Sequence, residues 1–441
     1  MKRKLVLINP FDRRRPGLSI DRFSRVQPLA PAIIAALTPA HWDVELIDEK
    51  WESSIYREAD LVGITAFTST ASRAYELAGI YRRKGVPVVM GGIHSHMCTD
   101  EALQYVDTVV LGEAEPIWKQ VIDDFEKGQL QPLYDGGLAD LSRVPLPRRE
   151  IFHPGYMVGA IQTSRGCPMD CEFCSAPAFN GHIHRQRPIE DVLEELETIP
   201  QKLVLFTDDI LIGFNKQSLH RAIDLFKGMV ERKLNKWWLC QAALNFADNE
   251  KALYWAQLAG CKFVYIGIES QEINDIKKVN KYLNLGGLDR LREKIRKINK
   301  AGIAVLGSFL FGMDSDNEEK LQKREAFIVN GGLDVVQATV LTPLPGTRLF
   351  NRLKEENRLL HTNYPRDWYL YDFNEVVHQP LGMTPGALAT AMKHCHKRMS
   401  SIPLLLQKAL KTLWNTRSIV IMVLALKSNL AARKIARILY R

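Results

Sequence analysis

The sequence predicts an α/β protein in which a doubly wound parallel-sheet domain is followed by a partial (β/α)6 barrel and a basic helical C-terminal tail. Three observations carry this. Short runs rich in β-branched residues alternate with longer stretches of helical periodicity, which is the rhythm of parallel sheets. The runs form two series, divided by a segment of prolines and paired glycines. Charge is uneven: of 59 basic and 50 acidic residues, eleven basic and no acidic ones follow Glu375, so residues 1–375 carry 48 against 50. With 441 residues, 46% hydrophobic and 25% charged, the chain has material for two or three domains.

The first series is KLVLINP, WDVELIDE, LVGITAF, VPVVMGG and TVVLGE. Helical stretches lie between them, among them Ala30 to Leu37 and Ser72 to Arg83, giving a doubly wound domain over residues 1–128. Residues 129–157, with LQPLYDGG and VPLP, read as a linker. The second series is GAIQTSRGC, KLVLFTDD, WWLCQAAL, KFVYIGIE, AVLGSFLFG and VVQATVL, six βα units over residues 158–350. In such barrels chemistry gathers at the C-terminal ends of the strands. Cys167, Asp208, Asp209, Gln241, Glu269 and Thr342 fall there. Residues 351–441 are left as a helical region with a basic amphipathic tail.

Cys167, Cys171 and Cys174 are three of only seven cysteines and lie within eight positions of one another. An odd cysteine count and the lack of a secretory-type apolar run at the start predict a reducing, cytoplasmic setting. Thiols so close together there bind something. A structural zinc wants four ligands, and His182 or His184 in NGHIHRQ are the nearest candidates for the fourth. An iron–sulfur cluster held by three thiolates leaves one iron open for a further ligand. Spacing alone leaves both readings open.

The spacing C-x3-C-x2-C, with Phe173 directly before Cys174, resembles the fingerprint of the radical S-adenosylmethionine (radical SAM) superfamily, and its place after the first barrel strand matches. The resemblance implies a [4Fe-4S] cluster on Cys167, Cys171 and Cys174, whose open iron takes the amino and carboxylate groups of S-adenosylmethionine. It implies that Asp208 or Asp209 in FTDD holds the methionyl ammonium. Glu269 in YIGIES would meet the ribose hydroxyls, and Gly307 and Gly312 in VLGSFLFGMDSD would back the adenine. Gln241 and the TPLPGT turn, with Thr342 and Arg348, are expected near the same cavity. A helix N-terminus accounts for the aspartates equally well, and a bend in the barrel for the glycines.

The N-terminal domain resembles the Rossmann-like cobalamin-binding domain fused to one class of that superfamily, through INP, QPLAPAIIAAL, GITAFTSTASRAYELA, VVMGGIHSH and VVLGEAE. Thr65, Thr68 and Thr70 offer hydroxyls at a strand end, and Gly91 with Gly92 allows a flat ligand near the backbone. Gly112 and Glu113 close the next strand. The motif D-x-H-x-x-G, by which such domains give cobalt a histidine, does not occur here. His94 and His96 sit near the expected ring edge outside that motif, so a weakly ligated lower face is expected, with His94 a loop residue.

From Lys427 onward, 100° per residue gathers Lys427, Lys434, Arg437 and Arg441 on one arc and Ala431, Ile435, Ile438 and Leu439 on another. This predicts peripheral contact with the inner face of a membrane; a cationic cap on the barrel is the alternative. Nucleic acid is not expected, because the basic residues accompany aliphatics rather than stacking aromatics. The expected activity is methylation of an unactivated carbon of an apolar substrate (a lipid, isoprenoid or tetrapyrrole), with electrons from a flavodoxin-, ferredoxin- or reductase-type donor. The alternatives are a radical cyclase or rearrangement enzyme resembling the anaerobic porphyrin-ring cyclases, and a non-catalytic cobalamin-binding sensor with a structural zinc.

Overall fold

The computed structural model describes residues 2–14, 26–52, 56–278 and 287–440. Arg441, counted above on the basic arc, lies outside them.

The first sheet contains β1 (Arg3–Asn9), β2 (Trp42–Asp48), β3 (Leu61–Thr65), β4 (Val88–Gly91), β5 (Thr108–Leu111) and β6 (Leu133–Asp135). Its order is β2-β1-β3-β4-β5-β6, parallel throughout. Five strands are those expected. The sixth, β6, comes from the supposed linker, where only three residues between a proline and the Gly136-Gly137 pair reach the sheet edge. Helices α1 (Leu29–Leu37), α2 (Ala71–Arg82), α3 (Ile93–Met97), α4 (Thr99–Ala102) and α5 (Trp118–Glu126) cover it. Because strands buried on both faces have no polar side, Leu5 to Ile8 are all core: Val6 and Ile8 pack towards α2, Leu5 and Leu7 towards α1 and α5. Strand order reverses between β1 and β3, so the crevice for a ligand opens at the ends of those strands.

The rest of the linker is fixed too. Arg149 donates to Gln27 Oε1 (2.8 Å), the Ala160 carbonyl (2.7 Å) and Glu195 (2.5 Å). A short bridge between Val26 and Val158 joins the first domain to the edge of the second sheet.

That second sheet runs β7 (Val158–Ile161), β10 (Leu203–Phe206), β11 (Trp237–Gln241), β12 (Cys261–Glu269), β13 (Ala304–Phe311) and β14 (Val335–Val340), in chain order and parallel, the expected six-unit partial barrel. Two further strands, β8 (Ser164–Arg165) and β9 (Arg185–Gln186), pair antiparallel. Helices α6 (Ser175–Asn180), α7 (Ile189–Thr198), α8 (Lys216–Glu231), α9 (Glu250–Leu258), α10 (Ile273–Lys278), α11 (Gly287–Lys300), α12 (Glu318–Asn330) and α13 (Arg348–Glu355) follow. Period-2 alternation sorts the strand residues. Val264, Ile266 and Ile268 of β12 and Val305, Phe309 and Phe311 of β13 join the large core under the outer helices. Phe263, Gln241, Glu269 and Ser308, out of phase with them, take the inner face.

The C-terminal region departs from expectation at two places. Residues 366–370 form a 3-10 turn whose Trp368 enters the core of the first domain and donates to Glu101 (2.9 Å). Then α14 (Pro385–Met399), α15 (Ile402–Thr416) and α16 (Ile419–Leu439) return to the barrel. Ile421 and Ala425 of α16 pack on Phe263, Ala304 and Val335, closing the inner face at the N-terminal ends of the strands. Ile435, from the arc expected to face lipid, is buried in the protein, as is its neighbour Ala436. The end of α16 is therefore docked, as in the cap alternative. No helix of the described residues is long and apolar enough to cross a membrane.

Candidate active site at the domain junction

The cysteine loop hangs between β8 and β9, and its shape is set by its neighbours. Gly166 adopts φ +87°, and a Cβ there would stand 2.1 Å from the Ile183 carbonyl oxygen, so only glycine fits. Asp209 accepts from Gly166 N–H (2.9 Å) and Asn180 Nδ2 (2.9 Å), pinning the loop on either side of the cysteines. From the far side of the barrel α13 holds its middle. Arg348 pairs with the Asp170 carboxylate (2.9 Å) and donates to its carbonyl, while Arg352 pairs with Glu172 (2.6 Å). Cys167, Cys171 and Cys174 are half-buried, and burial, with the neighbouring thiols, pushes Cys174 up to about 12. Three thiolates held here would need the compensating charge of a bound metal.

The other barrel candidates divide. Gln241 is exposed at the end of β11, and Glu269 ends β12 at φ +65°, a conformation costly for glutamate. The chain after it is locked by Arg324, which is fully buried and bonds Ser270 Oγ (3.0 Å), Gln271 Oε1 (3.0 Å) and Asp316 (2.7 Å). Glu269 is thus aimed by its surroundings. Asp208 is not a free carboxylate. It is wholly buried and accepts from Thr163 N–H (3.1 Å), Thr163 Oγ1 (2.8 Å) and Ser164 Oγ, bracing the root of the cysteine loop. Gly307 also differs from expectation: a Cβ there would meet Leu333 (2.8 Å) and Ile268 (3.0 Å), so it serves packing on the outer face. Gly312, at φ +99°, packs against Leu388 and His378, and Thr342 is buried with its hydroxyl on the Val340 carbonyl (3.1 Å). Phe173 lines a cavity of about 260 Å³ with Glu172, Asp275, Met313, Leu341 and Arg352.

In the first domain Thr65 and Gly91 are half-buried at the strand ends, and a Cβ on Gly91 would meet nothing within 4 Å. Phe67, which no motif singles out, is 65% exposed beside them. Gly92, by contrast, is required by the fold: at φ +98° its Cβ would lie 2.9 Å from Ala66 backbone and Thr65 Oγ1. Gly112, at φ +62°, abuts Gly137 in the same way. His94 is fully buried in α3, between Thr68 Oγ1 (3.4 Å) and Glu101 (3.3 Å), and so is neither a loop residue nor placed to meet a ligand. Thr70 Oγ1 bonds Phe67 backbone. His96 accepts from Gly112 N–H (3.0 Å) and lies edge-on to Phe179 just beyond the cysteines.

Glu113 is the largest correction. It is buried at the boundary between domains and accepts from Arg165 (2.9 Å), Arg185 (3.0 Å) and Ala139 N–H (2.8 Å), while Arg165 also reaches Glu115 (2.5 Å). Arg165 lies two residues before Cys167, and Arg185 sits on the paired strand. Burial alone would raise the Glu113 carboxyl, but the Arg185 hydrogen bond and Arg165 charge hold it below its ordinary range. The end of β5 is thus clamped to the base of the cysteine loop.

Comparison with known proteins decides the identity of this junction. The model of the radical SAM superfamily matches residues 161–328, and that of the B12 binding domain matches residues 20–122. The chain belongs to the cobalamin-binding radical SAM superfamily. It is similar to bacteriochlorophyllide d C-12(1)-methyltransferase of Chlorobaculum tepidum, 28% identical over 394 residues covering 86% of this chain and 83% of that one. Bacteriochlorophyllide d C-8(2)-methyltransferase of the same organism is 26% identical, over 94% and 95% of the two chains. Among solved structures, the cobalamin-dependent S-adenosylmethionine radical enzyme OxsB shares the fold, with TM-score 0.71 over 99% of this chain and 72% of that one at 15% identity.

The cofactors of this radical SAM enzyme are a [4Fe-4S] cluster, S-adenosylmethionine and cobalamin. The residues fit them. The thiols share one pinned loop, the Phe173 cavity adjoins it, and a side chain on Gly91 would meet only open space, which leaves room for a flat ligand at that strand end. His184, once a candidate zinc ligand, instead pairs with Gln186 (3.0 Å) and lies edge-on to Phe214, and burial lowers it to about 4. Among the described residues no three His, Cys, Asp or Glu side chains converge as a single-ion site requires.

Proposed function

We propose that this enzyme transfers a methyl group to an unactivated carbon of an apolar substrate, with a tetrapyrrole the first class to test. The observation that carries the reading is the clamp of Glu113 with Arg165 and Arg185, which holds the cobalamin-domain edge against the cysteine loop. When bound, the cluster with S-adenosylmethionine supplies a hydrogen-abstracting 5'-deoxyadenosyl radical, and cobalamin supplies the methyl group. The chain's own residues hold the geometry. Cys167, Cys171 and Cys174 bind the cluster; Asp209 and Arg348 fix their loop; Gln241, Glu269 and Phe173 line the nucleotide's side; Thr65, Gly91 and Phe67 form the corrin side. A substrate carbon placed between the two sides is within reach of both reagents.

Two relatives that methylate bacteriochlorophyllide d, each matched over most of its length, support a tetrapyrrole. The reading includes a low-potential donor of flavodoxin or ferredoxin type and peripheral contact of the C-terminal helices with an anionic membrane. The test is incubation of the reconstituted holoenzyme with reductant, methyl-deuterated S-adenosylmethionine and chlorophyllide-type substrates. A product in which one hydrogen is replaced by a CD3 group is expected. A product of altered ring structure without added carbon would establish the cyclase alternative instead.

A further inference from the structure

The C-terminal hairpin of α15 and α16 uses only one of its sides in the fold. Leu405, Lys408 and Thr412 of α15 and Ile421, Ala425 and Asn429 of α16 face the protein. Asp334 ties both helices to the barrel: its carboxylate accepts from Thr412 Oγ1 (2.6 Å) and its carbonyl from Asn429 Nδ2 (2.9 Å). The opposite side is apolar at its corner. Ile402, Leu406, Leu410 and Trp414 recur every four residues on the exposed arc of α15, with Leu410 at 66% and Trp414 at 84% exposure. The chain turns at Arg417, φ +52°, and the outer arc of α16 continues with Ile419, 68% exposed, and Val423. Further along that arc stand Lys427, Lys434 and Arg437, all exposed.

We propose that this edge docks on an anionic lipid bilayer, with Leu410, Trp414 and Ile419 entering the interface and the cations of α16 lying over the headgroups. It deepens the membrane contact of the functional reading by moving it from the buried end of α16 to the α15–α16 corner. Charge selects the partner. From residue 376 onward the chain has no acidic residue, so neither helix of this edge carries a negative side chain. A second copy meeting this face in a two-fold contact would set cation against cation. Nucleic acid would leave the aliphatic ridge with nothing to stack on. A bilayer surface takes both parts: tryptophan and aliphatics at the acyl boundary, cations at the phosphates.

The experiment is flotation of the holoenzyme with phosphatidylcholine vesicles, with and without phosphatidylglycerol. The wild type should float with the anionic vesicles only. The double variant Leu410→Asp, Trp414→Asp should stay in the dense fraction while still forming 5'-deoxyadenosine at the wild-type rate, which shows that it is folded. Lys427→Gln and Lys434→Gln should each weaken vesicle binding roughly fivefold, from about 1 kcal/mol per lysine at such a surface. The proposal is overturned if the wild type does not float, or if the double variant floats as well as the wild type. It is equally overturned if lipid-free sedimentation finds a wild-type dimer that the double variant abolishes. None of these outcomes touches methyl transfer, which is measured on product mass.

Discussion

Glu113 sits where a carboxylate does most for this molecule, between two arginines that flank the cysteine loop. Removing one partner of a buried pair leaves the others uncompensated, typically a loss of about 3–5 kcal/mol. Glu113→Ala should therefore lower stability by that order in chemical denaturation, and it should reduce methyl transfer per deoxyadenosine formed, because the two reagents are no longer held together. Equal losses of both products would argue for a purely structural role. Because the folded carboxyl is held below its unfolded value, its contribution is present above the ordinary carboxylate range and is lost as pH falls through the lowered value. The cysteines were legible from spacing because three thiols on one loop have few other uses. Asp208, Gly307 and His94 were not, since a strand-end position does not tell whether a side chain faces the lumen or the packed layer.

Between elements, buried polar ties set what moves. Arg324 fastens the ends of β12 and β13 around Glu269, and Arg324→Met, which leaves buried Asp316 without its cation, should cost roughly 3–5 kcal/mol and weaken S-adenosylmethionine binding measured by calorimetry. Unchanged binding in a variant that is still folded would show that Glu269 does not depend on this lock. On α14, burial lowers His396 to about 4, and its ring bonds the Ala338 carbonyl (3.1 Å). The unfolded chain takes up a proton near 6.5 that the fold does not, so stability should fall as pH drops from 6.5 towards 4. Thermal melts of His396→Gln should be flatter over that window. Strands β1 to β5 and the six barrel strands were readable as apolar runs, whereas β6 was hidden among turn residues. Helix α16 was readable as amphipathic, but not which side the barrel would take: Ile435 looked like a lipid-facing residue and is core.

For the whole molecule, two parallel sheets meet at their ligand-binding ends, and the segment around Trp368 returns from the barrel to the first domain, so the halves are joined at several points. The order of the two domains was legible from the two strand series, but their junction was not, because Glu113, Arg165 and Arg185 are far apart in sequence. In the proposed function the three cysteines hold a cluster that cleaves S-adenosylmethionine beside cobalamin. The most direct measurement of this is made anaerobically on protein reconstituted with iron and sulfide. With S-adenosylmethionine, hydroxocobalamin and dithionite, 5'-deoxyadenosine and methylcobalamin are followed by mass spectrometry for the wild type and Cys171→Ala. Both products from the wild type, and no deoxyadenosine from the variant, is the predicted result. Iron-loaded wild type that forms neither, or a variant that forms deoxyadenosine as fast as the wild type, would contradict it.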